Sequence, residues 1–72
     1  MTFAEKLKSL RKQASMSQEQ LAEKLGVSRQ AVTKWETDTG IPDLENIKSI
    51  SSLFDISIDE LLSNEKASQK NS

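Results

Sequence analysis

Residues 17–37 constrain the fold of this chain more than any other stretch. They read SQEQLAEKLGVSRQAVTKWET, with a single glycine, Gly26, near the middle. On either side of it, apolar residues are separated by three and four positions, which gives each segment one apolar face when it is helical. The glycine favours a left-handed C-cap, because it has no Cβ. The stretch therefore predicts two short helices joined by a tight turn, burying Leu21, Ala22 and Leu25 on the first and Ala31, Val32 and Trp35 on the second.

Helix start signals divide the rest of the chain. Capping-box pairs, in which a serine or threonine precedes a glutamate or glutamine by three residues, begin at Thr2, Ser17 and Ser57. Ser28 and Asp43 are suited to cap two further helices. The predicted helices cover about residues 2–14, 18–25, 29–37, 44–54 and 58–63. The fold is thus predicted to be all-α, a compact five-helix bundle whose second and third helices form a helix-turn-helix.

Apolar periodicity predicts which side chains face the core. On the first helix these are Phe3, Leu7, Leu10 and Ala14, and on the fourth Leu44, Ile47, Ile50, Leu53 and Phe54. The lysines of the first helix are expected to form a solvated face: Lys6, Lys8 and Lys12. The domain is predicted to span residues 1–63, and the polar segment 64–72, which lacks periodicity, is predicted to be a disordered tail.

The residue inventory argues against enzymatic and metal-dependent functions. The chain contains no histidine, cysteine or tyrosine, which removes the usual general base, the usual metal ligands and any disulfide. No apolar run approaches the ~20 residues of a membrane-spanning helix, and the N-terminus lacks the apolar segment of a signal peptide. We therefore expect a cytoplasmic, single-domain protein that is not an enzyme, requires neither metal nor cofactor, and has no membrane partner.

Net charge is −1 at pH 7, whereas nucleic-acid-binding domains are often strongly basic. The charges are unevenly distributed, however. Residues 1–42 carry seven basic and five acidic side chains, and residues 43–72 carry three basic and six acidic ones. The positive half contains the second and third predicted helices. Because this bias is small, it predicts weak non-specific binding to nucleic acid that depends strongly on salt.

The outward face of the third predicted helix carries polar side chains without an evident partner in the sequence. Four of them lie near the start of this helix: Arg29, Gln30, Thr33 and Lys34. Arginine and lysine pair well with guanine O6 and N7, glutamine with adenine N6 and N7, and the threonine methyl group with thymine. Such a face suits base edges in the major groove of DNA. Taken without its surroundings, it equally fits an ordinary solvated helix face.

Several landmarks resemble one known family. They are Arg11, the stretch SQEQLAEKLGVSRQAVTKWE, the loop Gly40-Ile41-Pro42-Asp43 and the closing FDISIDELL. Together they are similar to the phage-repressor-type helix-turn-helix domains, the Cro/CI or Xre family, over about Phe3 to Ser63. The resemblance implies a lambda-repressor-like fold and sequence-specific binding to double-stranded DNA. It further implies that Arg29, Gln30 and Lys34 reach base edges, that Gln18 meets a phosphate, and that Arg11 and Glu36 form a structural salt bridge.

Contacts to the DNA backbone are expected around the same helices. Free N–H groups at a helix start favour a phosphate, and Gln18 and Ser28 lie where the second and third helices begin. Further candidates for phosphate contact are Thr37, Thr39 and Lys12. Helix capping is the alternative role for Gln18 and Ser28, and it does not exclude a phosphate contact. A phosphate contact is likewise the alternative for Arg11, and one guanidinium could serve both roles.

Residues and resemblance together predict a transcriptional regulator of bacterial or phage origin, with repression as the expected sign. Its partner would be operator DNA, bound by a homodimer whose half-sites lie ~34 Å apart. The candidate dimer contacts are Ile56, Ile58, Leu61 and Leu62, some of which would instead close the core. Two alternatives remain open. One is an antitoxin-like or docking module that binds a protein partner, and the other is the DNA-binding head of a longer regulator.

Overall fold

Five α-helices make up the part of the chain that the computed structural model describes, residues 2–62. They are α1 (Phe3–Gln13), α2 (Gln18–Leu25), α3 (Arg29–Glu36), α4 (Leu44–Phe54) and α5 (Ile58–Leu62). The predicted all-α, five-helix fold and the helix-turn-helix formed by α2 and α3 are confirmed. The predicted tail at 64–72 and the domain boundary at Ser63 lie outside the described residues.

The predicted caps explain where the helices begin. The hydroxyls of Thr2 and Ser17 each accept a hydrogen bond from the third backbone N–H of their helix, and the side chain of the glutamate or glutamine at that position accepts the backbone N–H of the cap residue. Ser28 and Asp43 each accept one such bond at α3 and α4. Ser57 accepts the N–H of Glu60 at α5. Because each cap satisfies a backbone donor that the helix leaves free, the breaks between helices are set locally.

Left-handed backbone conformations close several turns. Gly26 has φ +72° and ends α2 as a C-cap, as predicted. Ser15, Asp38 and Asp55 also have positive φ values, of 59°, 66° and 56°, and the sequence pattern marked none of them. Aspartate tolerates this region better than most residues, because its short polar side chain can bond locally. Asp55 ends α4 in the same way that Gly26 ends α2.

The core receives side chains from all five helices. α3 packs against both α1 and α2, while α5 packs against α1 and α4. The buried cluster at their centre consists of Leu7, Leu21, Ala22, Val32, Trp35, Ile47, Ile50 and Leu61. Trp35 is therefore a core residue, which leaves the opposite side of α3 exposed.

Three residues that were predicted to be buried are exposed. Ala14 is the C-cap of α1 and lies beyond its last helical turn, whereas Ala4, near the start of α1, is buried without having been predicted. Leu44 is 61% exposed, because it is the first residue of α4 and precedes the turns that carry the buried Ile47 and Ile50. Leu53 is turned about 120° from Ile47 at ~100° per residue, so it lies at the edge of the buried face.

Lys6 corrects the prediction of a solvated lysine face on α1. Its Nζ donates to the backbone carbonyl of Glu60 at 2.7 Å, and the residue is half-buried. Lys8 and Lys12 are exposed, as expected. The Lys6 bond tethers α1 to the carbonyl end of α5, where a cation interacts favourably with the helix dipole.

The four predicted dimer contacts differ in how deeply they are buried. Leu61 is 0% exposed and belongs to the core, so of the two roles left open for this set it closes the core and is not a dimer contact. Ile56 and Ile58 are half-buried against that core, because the short α5 closes the bundle between α1 and α4. Leu62 alone of the four has an exposed side chain.

In the described region, none of the helices has the length and apolar character needed to cross a membrane.

Candidate nucleic-acid interface

The exposed side of α3 gathers the four predicted base-contacting residues in one place. Arg29, Gln30 and Lys34 are exposed and Thr33 is half-buried, and the four side chains line a single surface depression. On the other side of the helix, Val32 and Trp35 are buried in the core. The two faces follow from the ~100° turn per residue. The buried face holds the helix rigidly, while the polar face stays free for a ligand.

The electrostatics at the start of α3 favour an anion. Its first turn contains Arg29 and no acidic side chain. The N-cap Ser28 is exposed, and its hydroxyl accepts the N–H of Ala31 at 3.1 Å. The capping role that the sequence offered for Ser28 is therefore present. A helix N-terminus with an added cation attracts negative charge, because free N–H groups and the helix dipole point the same way.

Arg11 and Glu36 form the salt bridge that the family resemblance implied. Arg11 Nε lies 2.7 Å from Glu36 Oε2, and Arg11 Nη2 lies 3.1 Å from Oε1. The guanidinium also donates from Nη1 to the carbonyl of Met16 at 2.8 Å. Arg11 therefore joins the end of α1 to the end of α3 and to the connection that leads into α2. A buried pair of this kind fixes geometry more than it adds stability.

Gln18 is held by two residues of α3. Its amide Nε2 donates to Glu36 Oε1 at 3.1 Å, and its Oε1 accepts the hydroxyl of Thr33 at 2.9 Å. Thr33 Oγ1 also lies 3.1 Å from the carbonyl of Arg29. The Thr33 hydroxyl is thus occupied within the protein, which leaves its methyl group as the part that could meet a base. No sequence pattern predicted this contact, because Gln18 and Thr33 are fifteen residues apart on different helices.

Thr37 and Thr39 close the C-terminal end of α3. The Thr37 hydroxyl donates to the carbonyl of Thr33 at 2.8 Å, and the Thr39 hydroxyl lies 3.2 Å from the carbonyl of Lys34. The two hydroxyl oxygens are 3.1 Å apart. Both side chains are exposed, but their donors already satisfy helix carbonyls. Their observed role is to cap the helix end.

Lys12 lies apart from the other predicted phosphate contacts. It is exposed on α1, where it lines a separate depression with Glu5, Lys8 and Gln13. The structure therefore brings Gln18 together with the α3 face but groups Lys12 with a different surface.

Among residues 2–62, no group of three or more acidic, histidine or cysteine side chains is placed to hold a metal ion.

Comparison with known proteins gives consistent matches. A family model described as Helix-turn-helix matches residues 7–61. The HTH-type transcriptional activator BcrR of Enterococcus faecalis is 53% identical over 66 residues, which cover 92% of this chain and 32% of BcrR. The uncharacterized HTH-type transcriptional regulator YqaE of Bacillus subtilis is 43% identical over 93% of this chain and 60% of its own length. The chain therefore spans less than two thirds of either relative.

A solved structure matches over almost its whole length. The P22 c2 repressor protein, in complex with a synthetic operator, has a TM-score of 0.84 to this chain at 29% sequence identity. The match covers 90% of this chain and 98% of that one. The five-helix arrangement is thus that of a phage repressor domain.

Proposed function

The chain belongs to the helix-turn-helix family, and on that premise we propose that it is a transcriptional regulator that binds double-stranded DNA sequence-specifically. The observation that carries the proposal is the polar face of α3, which stays exposed while the opposite face is locked in the core. An α-helix fits the major groove, where each base pair presents a distinct pattern of donors and acceptors. The similar P22 c2 repressor was solved on operator DNA, which supports the same use of this fold.

Three exposed side chains are the proposed base readers. Arg29 and Gln30 stand in the first turn of α3 and Lys34 in the second. Arginine and lysine suit guanine, and glutamine suits adenine, because these side chains match the donor and acceptor pattern of those bases. Thr33 is a fourth contact through its methyl group only, since its hydroxyl bonds within the protein.

The starts of α2 and α3 are the proposed phosphate contacts. Gln18 and Ser28 stand there, beside backbone N–H groups that their helices leave free. Contacts from Thr37 and Thr39 are weaker proposals, because each would have to give up a bond that caps α3. Lys12 would contact a phosphate only if DNA extends over α1. The salt bridge of Arg11 with Glu36 is proposed to hold α3 at its docking angle.

Binding as a homodimer is part of the proposal, with half-sites about one helical turn apart. Leu62 is the exposed member of the predicted contact set, and three further apolar side chains are exposed elsewhere, Ile41 at 73%, Leu44 at 61% and Leu53 at 36%. These same side chains are the observation that favours the second candidate, a docking or antitoxin-like module with a protein partner. Apolar side chains mark a protein contact where they form a contiguous patch, so this second candidate requires that they adjoin on the surface.

Whether the protein represses or activates transcription, and where in the cell it acts, are also proposals. One relative is named an activator and the matched structure is named a repressor. Domains of this kind therefore occur in regulators that activate and in regulators that repress. We propose repression by occlusion of a promoter, in the cytoplasm, without a cofactor or an enzymatic step. Because BcrR and YqaE extend beyond the matched region, a DNA-binding head of a longer regulator is the matching alternative for the whole protein.

Selection from a random pool of double-stranded DNA, at near-physiological salt, tests this function. Enrichment of two-fold-related half-sites about a helical turn apart supports specific recognition by a dimer. Enrichment of a single half-site keeps the DNA-binding function and removes the dimer. Equal retention of all sequences, lost as salt rises, contradicts specific recognition and favours the protein-interaction module.

A further inference from the structure

We infer that the hydroxyl of Thr33 acts on DNA indirectly, by fixing the amide of Gln18 so that one amide N–H is presented to a phosphate. Thr33 is then a positioning residue that acts through Gln18, in addition to any contact that its methyl group makes. The inference rests on the proposed DNA-binding function and deepens it. It assigns sequence-independent affinity to a residue on the base-reading helix.

The contacts of Gln18 determine which way its amide points. Glu36 Oε1 lies 3.1 Å from Gln18 Nε2, and the carboxylate, paired with Arg11, can only accept a hydrogen bond. The amide nitrogen must therefore face Glu36 and the amide oxygen must face Thr33. The Thr33 hydroxyl completes this arrangement by donating to that oxygen at 2.9 Å. Two residues of α3 thus hold both ends of one amide group.

The single proton of the Thr33 hydroxyl has two acceptors within reach. One is Gln18 Oε1 at 2.9 Å and the other is the carbonyl of Arg29 at 3.1 Å. The Arg29 carbonyl already accepts a backbone N–H from the next turn of α3, as helix geometry requires. The amide oxygen of Gln18 has no other donor among the hydrogen bonds of residues 2–62. The bond to Gln18 is therefore the one that satisfies an otherwise unpaired group.

Glu36, which accepts the Gln18 amide, is itself held in place by other residues. Glu36 is anchored by two bonds from Arg11, which in turn is fixed to the Met16 carbonyl at 2.8 Å. Gln18 Nε2 carries two protons, and Glu36 accepts one of them. Among residues 2–62 no acceptor takes the second amide proton, which lies at the start of α2, beside backbone N–H groups that have no acceptor within the helix. A phosphate oxygen placed there would receive both kinds of donor.

The hydroxyl and the methyl group of Thr33 can be separated by substitution. Thr33→Val keeps the shape and the methyl group but removes the donor, whereas Thr33→Ser keeps the donor and removes the methyl group. We expect Thr33→Val to lower affinity for a selected duplex and for a scrambled duplex by the same factor, roughly two- to tenfold for one lost hydrogen bond. Thr33→Ser should recover the affinity for the scrambled duplex.

The experiment measures equilibrium affinity for both duplexes with wild type, Thr33→Val, Thr33→Ser, Gln18→Ala and the double variant Thr33→Val/Gln18→Ala. Thermal unfolding of each variant accompanies the binding data, and Thr33→Ala replaces the valine variant if the latter does not fold. If Thr33 acts through Gln18, the double variant binds no more weakly than Gln18→Ala alone, because the two changes remove one interaction.

Two results would overturn the inference while leaving DNA recognition intact. One is wild-type affinity in Thr33→Val, and the other is a loss in the double variant equal to the sum of the two single losses. A wild-type chain that binds neither duplex more tightly than the other would instead overturn the proposed function, and the inference with it. The wild-type measurement therefore distinguishes the two failures.

Discussion

Arg11 and Glu36 join the ends of α1 and α3 by a two-pronged ion pair, with Nε 2.7 Å from Oε2 and Nη2 3.1 Å from Oε1. The Glu36 side chain is 1% exposed and that of Arg11 is 11% exposed. Both charged groups are therefore largely removed from water and depend on each other for their charge-assisted hydrogen bonds. Glu36 also accepts the amide of Gln18, so this pair links α1, α2 and α3.

Replacing Glu36 alone should be costly. Glu36→Gln leaves the Arg11 guanidinium buried without its counter-charge, and we expect the free energy of unfolding to fall by about 3 kcal/mol. Urea denaturation followed by circular dichroism measures this change. The matched control is the double variant Arg11→Met/Glu36→Met, which buries no charge and should recover most of the loss. A loss below ~1 kcal/mol in Glu36→Gln would show that the pair behaves as an exposed one.

Replacing Gly26 with alanine should destabilise the protein through its backbone conformation and not through a steric clash. Its φ is +72°, and an added Cβ would have no neighbour within 4 Å. We expect Gly26→Ala to lower the free energy of unfolding by about 1–2 kcal/mol, because a left-handed conformation is unfavourable for alanine.

Gly40 provides the matched control for Gly26. An added Cβ there would lie 3.6 Å from Lys34 Cβ, an ordinary contact, and Gly40 is not among the left-handed residues of the described region. Gly40→Ala should change the free energy of unfolding by less than about 0.5 kcal/mol. Equal losses at Gly26 and Gly40 would contradict the account of the turn.

Asp55 should be improved by glycine. It ends α4 at φ 56°, and the last turn of α4 has no basic residue to offset a negative charge. Asp55→Gly relieves the backbone and removes an anion from the negative end of the helix dipole, so we expect stability to rise by about 1 kcal/mol. Asp55→Asn tests the charge alone, because asparagine tolerates the same backbone, and it should yield only part of the gain. Thermal denaturation of wild type, Asp55→Gly and Asp55→Asn measures these changes. A lower stability of Asp55→Gly than of wild type would contradict the prediction.

The features set by neighbouring residues were predictable from the sequence. The capping pair Ser17 with Gln20 and the glycine cap at Gly26 act within a few positions, so their pattern determines the helix ends. The family resemblance implied the pair of Arg11 with Glu36. Periodicity alone failed at Leu44 and Leu53, because whether a side chain is buried depends on which other helix covers it.

The contact between Gln18 and Thr33 marks the limit of sequence reasoning at the site. Periodicity places Thr33 on the outward face of α3, and it does lie beside Arg29, Gln30 and Lys34. Its hydroxyl nevertheless bonds to Gln18, because the crossing of α2 and α3 brings the two side chains within 2.9 Å. That crossing is a tertiary property, which no local pattern of residues encodes.

Base reading by α3 is the central claim, and the base preference of Arg29→Ala tests it most directly. Selection from a random DNA pool is performed in parallel with wild type, Arg29→Ala and Lys48→Ala, which removes one positive charge from an exposed position on α4. We expect Arg29→Ala to lose about 1–3 kcal/mol of specific binding energy and to relax the preference at one position of each half-site. Lys48→Ala should retain the wild-type preference at every position. An unchanged preference in Arg29→Ala, with affinity reduced only as in Lys48→Ala, would contradict the claim that α3 reads bases through this residue.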